Sequence, residues 1–199
     1  MLKHIIQENT ILDNLASLSK GYHLPLSSKT SKSNINTDKA LKVLSLKNIR
    51  QLVDKKEVTY SLVEYEQKYN KEIQYIQQHD IIIPSASGVG NFNVIYIEDE
   101  PTQKLAINDT MILIRANKGI VNSKYLYIQL LSTEIQQKIL SVAKGNPILH
   151  ISKKDLGNIK VPIFEAYVMD KICNEYDNIQ KKKRKIAEEE NDFWKNLNK

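Results

Sequence analysis

Long hydrophobic runs are missing from this sequence of 199 residues. The longest wholly apolar stretches are of the size of residues 81–84 and 111–114. A membrane-spanning helix needs roughly 20 apolar residues, so none is expected. The start, Met1-Leu2-Lys3-His4-Ile5-Ile6-Gln7-Glu8, lacks an apolar core of signal-peptide length. Cysteine occurs once, at Cys173. That excludes an intramolecular disulfide and fits a reducing compartment. A cytoplasmic location is therefore expected.

Catalytic signatures are scarce too. No GxxxxGK[ST] phosphate loop and no GxSxG nucleophile turn occur. Gly88-Val89-Gly90 supplies two-thirds of a GxGxxG pattern, but position 93 is Asn, and a flexible turn is the better reading. His4, His23, His79 and His150 stand apart, with no second His or Cys at metal-ligand spacing. No two prolines are adjacent, so the proline-rich tetrapeptide of amino-group DNA methyltransferases is absent. Asp80 and Asp155 read as strand and turn residues rather than catalytic acids. No enzyme activity, cofactor or metal is expected of this chain.

What is present begins with charge. The net charge is +6, and it is unevenly placed. Residues 1–56 hold ten Lys/Arg against four Asp/Glu, while 57–164 and 165–199 are each neutral. Lys20, Lys29, Lys32, Lys39, Lys42, Lys47 and Arg50 supply most of the excess. A one-sided basic surface suits a polyanion partner. A solvated lysine-rich face explains it equally well.

Length allows one domain, or one domain with an appendage. Residues 27–38, SSKTSKSNINTD, are polar and without apolar period, so they predict a loop. Residues 41–46 alternate loosely, as a half-buried strand does, and 58–63 and 73–76 are weaker strands. Residues 80–84, Asp-Ile-Ile-Ile-Pro, predict a buried strand stopped by proline. A small loop follows at 85–91, then strands at 92–97 and 111–115. Asn122 or Ser123 caps a helix over 124–131, and a second helix covers 133–144 up to Gly145. A strand at 148–151, a turn at 152–157 and a strand at 159–163 complete the unit. Strands and helices mix without regular alternation, which predicts an α+β domain over residues 1–163.

The remaining residues, 164–199, differ in kind. Met169, Ile172, Tyr176, Ile179, Lys183, Ile186, Glu190, Phe193 and Leu197 are spaced alternately three and four apart. That is a coiled-coil seam with two charged interruptions. No Gly or Pro follows Pro162. A helix over 164–198 would be about 50 Å long, and its apolar stripe calls for a partner. Packing back on its own domain is the competing outcome. Cys173 falls inside this helix, where a buried thiol is expected.

The order of these pieces resembles a known family. QHDIIIPSASGVGN is similar to the strand and glycine loop of target recognition domains. The stretch from Met111 to Ile163 resembles that family's strand, two helices, glycine turn and closing "is..dL..i.vP". VPIFEAYVMDKICNEYDNIQ resembles the start of its spacer helix. The family is the specificity (S) subunit of type I restriction-modification systems. Residues 41–198 carry the resemblance and the first 40 only loosely. A typical S subunit has two recognition domains and two spacer helices. This chain has one of each, so it resembles a half-length S subunit or a fragment. The resemblance implies a non-catalytic chain that binds double-stranded DNA together with methyltransferase (M) and restriction (R) subunits.

Physical reasoning adds candidate residues. Phosphate contacts are expected of Lys29 and Lys32 on the polar loop and Lys39 just after it, with Lys47 and Lys118. Base edges are read by Arg, Asn and Gln side chains, and Asn34, Asn36, Arg50, Asn91, Arg115 and Asn122 are candidates. Each reads equally as a turn or cap residue. Ser85 and Ser87 lie on a loop small enough for close backbone approach to DNA. Two chains paired antiparallel through the seam form the expected homodimer. Lys183 and Glu190 would then offset each other and fix direction and register. A globular head on a coiled-coil stalk with no role in DNA reading is the rival, and an enzyme with an unrecognised site is a third reading.

Overall fold

The computed structural model describes residues 8–23, 40–64, 73–88 and 90–197. The loop expected at 27–38 lies outside them. In chain order the elements are β1 (Glu8–Ile11), α1 (Leu12–Leu15), β2 (Ala16–Lys20), β3 (Ala40–Leu44), α2 (Leu46–Val53), β4 (Ser61–Glu64), β5 (Ile81–Pro84), β6 (Ala86–Ser87) and β7 (Ile95–Tyr96). They continue with β8 (Ala106–Ile107), β9 (Met111–Ala116), α3 (Ser123–Leu131), α4 (Thr133–Val142), β10 (Leu149–His150), α5 (Lys153–Gly157), β11 (Lys160–Ile163) and α6 (Ala166–Leu197). The chain divides into two compact units, Thr10–Val161 and a second made of Met1–Asn9 with Pro162–Lys199.

The larger unit is α+β. Its central sheet runs β2-β9-β5-β7, antiparallel at every junction. All of β5 is buried, and so are the first four residues of β9. Ile81, Ile82 and Ile83 are each 0% exposed. Their stiff β-branched side chains suit a pleated strand covered on both faces. Each contributes roughly 1.5–3 kcal/mol by burial. A second sheet, β4-β3-β8, joins one antiparallel and one parallel pair. Leu44, Ile49, Ile82, Ile107, Met111 and Leu113 form one core cluster. The short pair β6–β10 sets Ser87 opposite Leu149 and Ala86 opposite His150.

Several elements differ from the sequence expectation. The strand expected over 41–46 ends at Leu44, and α2, which the alternation did not foretell, begins at Leu46. Ser45 starts it: its N–H donates to Asn48 Oδ1 at 3.0 Å, one half of a capping box. Residues 73–76 form no strand. They are held by single bonds, Ile76 N–H to the Leu105 carbonyl and Gln74 N–H to the Tyr22 hydroxyl, and not by a ladder. The strand expected over 92–97 is reduced to β7, because Gln136 takes the backbone of Phe92. Helix α4 stops at Val142: Ala143 is extended, and Lys144 exchanges backbone bonds with His150. Gly145 lies in the turn beyond, at φ +125, where a Cβ would strike the Ile148 carbonyl. The turn expected at 152–157 is the short helix α5, capped by the Ser152 hydroxyl.

In the smaller unit, α6 is 32 residues long, which is about 48 Å. It starts at Ala166 and not at 164, since Val168 and Met169 N–H groups both reach the Glu165 carbonyl. Val168, Met169 and Cys173 are buried. Among the described residues no helix is long and apolar enough to cross a membrane.

Candidate nucleic-acid interface

The loop between β5 and Phe92 is fixed at both ends. At its start, Ser85 donates to the Thr110 carbonyl from both N–H, at 2.8 Å, and hydroxyl, at 3.0 Å. The Ser85 carbonyl accepts from Ile151 N–H at 2.9 Å. At its end, buried Phe92 is gripped by Gln136, whose amide accepts from Phe92 N–H at 2.9 Å and donates to its carbonyl at 3.1 Å. Between these anchors the Ser87 hydroxyl donates to the Asn91 carbonyl at 3.1 Å. Nothing lies within 4 Å of where a Cβ would stand on Gly88 or Gly90. The Asn91 side chain is exposed. A small-residue tip between rigid ends can approach a ligand closely without losing its position.

Two expected base readers already have partners within the protein. Arg115 is committed to Asp80. Its Nε donates to Asp80 Oδ1 at 2.8 Å, and its second nitrogen to Asp80 Oδ2 and the Tyr75 carbonyl, both at 2.7 Å. Asp80 is 1% exposed and also accepts from Gln77 N–H at 2.8 Å. The hydrogen bond that Arg115 donates to Asp80 raises the guanidinium pKa above its ordinary value, against the opposing effect of burial. Asp80 thus takes the fork formed by Nε and one terminal nitrogen, which could otherwise face a guanine edge. Asn122 is the N-cap of α3: its Oδ1 accepts from Lys124 N–H at 2.8 Å and Tyr125 N–H at 3.3 Å. That satisfies two orphan donors of the helix.

The other candidates are scattered. Lys47 and Arg50 are exposed on α2, three residues apart and so on one side of it. Lys118 is exposed after β9 and lines a hollow of about 180 Å³ with Arg115, Asp80 and His79. Lys29, Lys32, Asn34, Asn36 and Lys39 lie outside the described residues. Among the described residues no group of three His, Cys, Asp or Glu is placed to hold a metal. Gln136 was missed by sequence reasoning. Linear spacing carries no sign that a glutamine in an amphipathic helix faces inward.

Along α6 the seam changes character. Met169 is 8% exposed, and Ile172 and Tyr176 are half-buried. Beyond them Ile179, Ile186, Phe193 and Leu197 are 51–63% exposed, with Lys183 and Glu190 also exposed between them. Trp194, outside the seam, stands edge-on to Phe193 at 5.2 Å. This is a stripe of large apolar side chains open to solvent.

No protein-family profile and no curated protein matches the sequence. Solved structures do match its fold. The type I restriction-modification S subunit from M. genitalium superposes with TM-score 0.56 at 16% identity, over 94% of this chain and 42% of that one. The HsdS subunit from Thermoanaerobacter tengcongensis gives 0.55 at 18%, over 88% and 37%. The type IIG restriction endonuclease BpuSI gives 0.52 at 13%, over 86% and 26%. The resemblance read from the residues is thus borne out at the level of the fold: an α+β domain followed by a long helix. The chain spans about two-fifths of the length of the two S subunits it matches.

Proposed function

We propose that this chain is a DNA-reading specificity subunit, or half of one, of a type I restriction-modification system. The shared fold carries this reading, because the α+β domain and long helix of this chain superpose on S subunits over 88–94% of its length. Residues 1–163 would read DNA, with the anchored loop at 85–91 approaching the bases and Asn91 as a base-edge contact. Residues 164–199 would be the spacer. Chemistry would belong to M and R subunits recruited in the cytoplasm, and the chain itself would need no cofactor.

Two copies paired antiparallel along α6 would cover the open stripe. The seam from Met169 to Leu197 spans roughly 42 Å at 1.5 Å per residue. That is a little more than one turn of B-DNA, the spacing at which two domains can enter the major groove on one face.

The direct test is binding of the full chain to duplex DNA across a salt series. Affinity that falls steeply with salt supports the reading. Salt-independent or undetectable binding would favour the rival, a head-and-stalk interaction module. Incubation of pure chain with a methyl donor, magnesium and duplex, followed by mass analysis of the bases, addresses the enzyme reading. Neither methylated nor cleaved DNA is expected.

A further inference from the structure

The charge count by segment makes residues 57–164 neutral overall. The fold sets two of their lysines, Lys144 and Lys153, beside Lys20 of the basic first segment. A cleft of about 470 Å³ is lined by Lys20, Lys144, Lys153 and His150, beside Ser85 and Ser152. Separate stretches of chain build it, around Lys20, Ser85, Ile112 and the segment from Lys144 to Asp155. Lys20 ends β2, opposite Ile112 of β9. Lys144 follows α4, and its N–H and carbonyl exchange bonds with His150 at 2.9 and 2.7 Å, which closes the turn. Lys153 opens α5. Ile151 N–H, bonded to the Ser85 carbonyl, ties this wall to the start of the 85–91 loop.

The electrostatics are one-sided. The lining acid is Asp155, and its carboxylate accepts from the Ser152 hydroxyl at 2.7 Å. Among the described residues none of Lys20, Lys144 and Lys153 makes an ion pair. All three are exposed. Three unpaired ammonium groups around one hollow repel each other, and among the described lining residues the single carboxylate of Asp155 offsets only part of that charge. An anion would offset the rest. The ammonium groups come from separate elements and stay exposed. That geometry suits successive phosphates of a chain better than one enclosed ion.

We infer that this cleft grips the phosphate backbone of duplex DNA next to the 85–91 loop. The inference rests on the DNA-reading proposal and deepens it. Phosphate contacts at Lys20, Lys144 and Lys153 set register, so that the neighbouring loop meets the base edges.

The test compares the full chain with Lys20→Gln/Lys144→Gln/Lys153→Gln on a labelled 30-base-pair duplex of arbitrary sequence, from about 50 to 200 mM salt. A control, Lys171→Gln/Lys181→Gln/Lys182→Gln, removes the same charge from exposed positions of α6. Thermal melts establish that all three proteins fold. The cleft variant should bind about tenfold or more weakly, with a salt slope shallower by about 2.7, at 0.9 per phosphate contact. The control should keep most of its affinity and slope. If the cleft variant loses no more than the control, the cleft is not the phosphate grip, while the DNA reading stands. If the unaltered chain shows no salt-dependent duplex binding, both fall. A parallel titration with inorganic phosphate separates a small-anion site. Saturable phosphate binding that the cleft variant loses, without duplex binding, would overturn the inference in favour of that ligand.

Discussion

The amide of Gln136 on α4 makes two hydrogen bonds to the backbone of one residue, Phe92, accepting at 2.9 Å and donating at 3.1 Å. A third bond, at 2.7 Å, reaches the Leu130 carbonyl. Gln136 is 3% exposed and Phe92 1%, so water cannot replace these partners. In Gln136→Leu each backbone group left bare costs about 1–3 kcal/mol. We expect a clear fall in melting temperature and faster amide exchange at Phe92. Unchanged exchange there would show that the loop is held by other means.

The Asp80–Arg115 pair is structural. Breaking a buried pair from one side costs about 3–5 kcal/mol. Arg115 keeps 28% side-chain exposure, which places the cost at the lower end of that range. Asp80→Asn and Arg115→Met should each destabilise, and the double variant should lose less than the sum. Additive losses in denaturant melts would mean that the two residues act independently.

Gly21 sits where a Cβ would strike the carbonyls of Ile107 and Asn108. The strain falls on backbone, which cannot rotate away. Gly21→Ala should destabilise by about 1–3 kcal/mol, as overpacking does. An unaltered unfolding midpoint would contradict that close approach.

Legibility in the sequence followed the range of the interactions. The buried strands β5 and β9 were readable, because a run such as Ile81-Ile82-Ile83 leaves few alternatives. Helix α3 was readable from its local cap at Asn122, and α4 from the helical stretch before Gly145, although it ends at Val142. Helix α2 was obscured because Leu44-Ser45-Leu46 continues the alternation of β3, and only the Ser45–Asn48 capping contact marks the switch. At the candidate interface the difficulty was greater. Arg115 looks like a free cation until Asp80, 35 residues earlier, is set against it. Lys20 and Lys144 share a cleft only because the fold unites them.

The open stripe on α6 predicts self-association. Large apolar side chains at Ile179, Ile186, Phe193 and Leu197 are costly to leave in water. Sedimentation of the full chain should give a dimer. Ile179→Asp/Ile186→Asp should give a monomer with an unchanged melting profile at the β-sheet signal. A concentration-independent monomer in the unaltered protein would reject pairing through this helix.

Two-fold pairing has a consequence for the DNA site. If identical chains pair about a two-fold axis, their reading surfaces face the DNA in opposite directions. The target is then an inverted repeat. The helices hold the domains apart, so a stretch of unread base pairs separates the halves. If Asn91 reads a base edge, Asn91→Ala should relax one position in each half at a cost of about 1–3 kcal/mol. Lys20, Lys144 and Lys153 substitutions should weaken binding evenly over all sequences. Sequencing of methylated sites, in cells that carry this chain with a methyltransferase partner, reads all of this together. A gapped inverted repeat is expected. An asymmetric bipartite motif would mean that a second, different recognition domain completes the complex, and a continuous motif would rule out spacing by the helix.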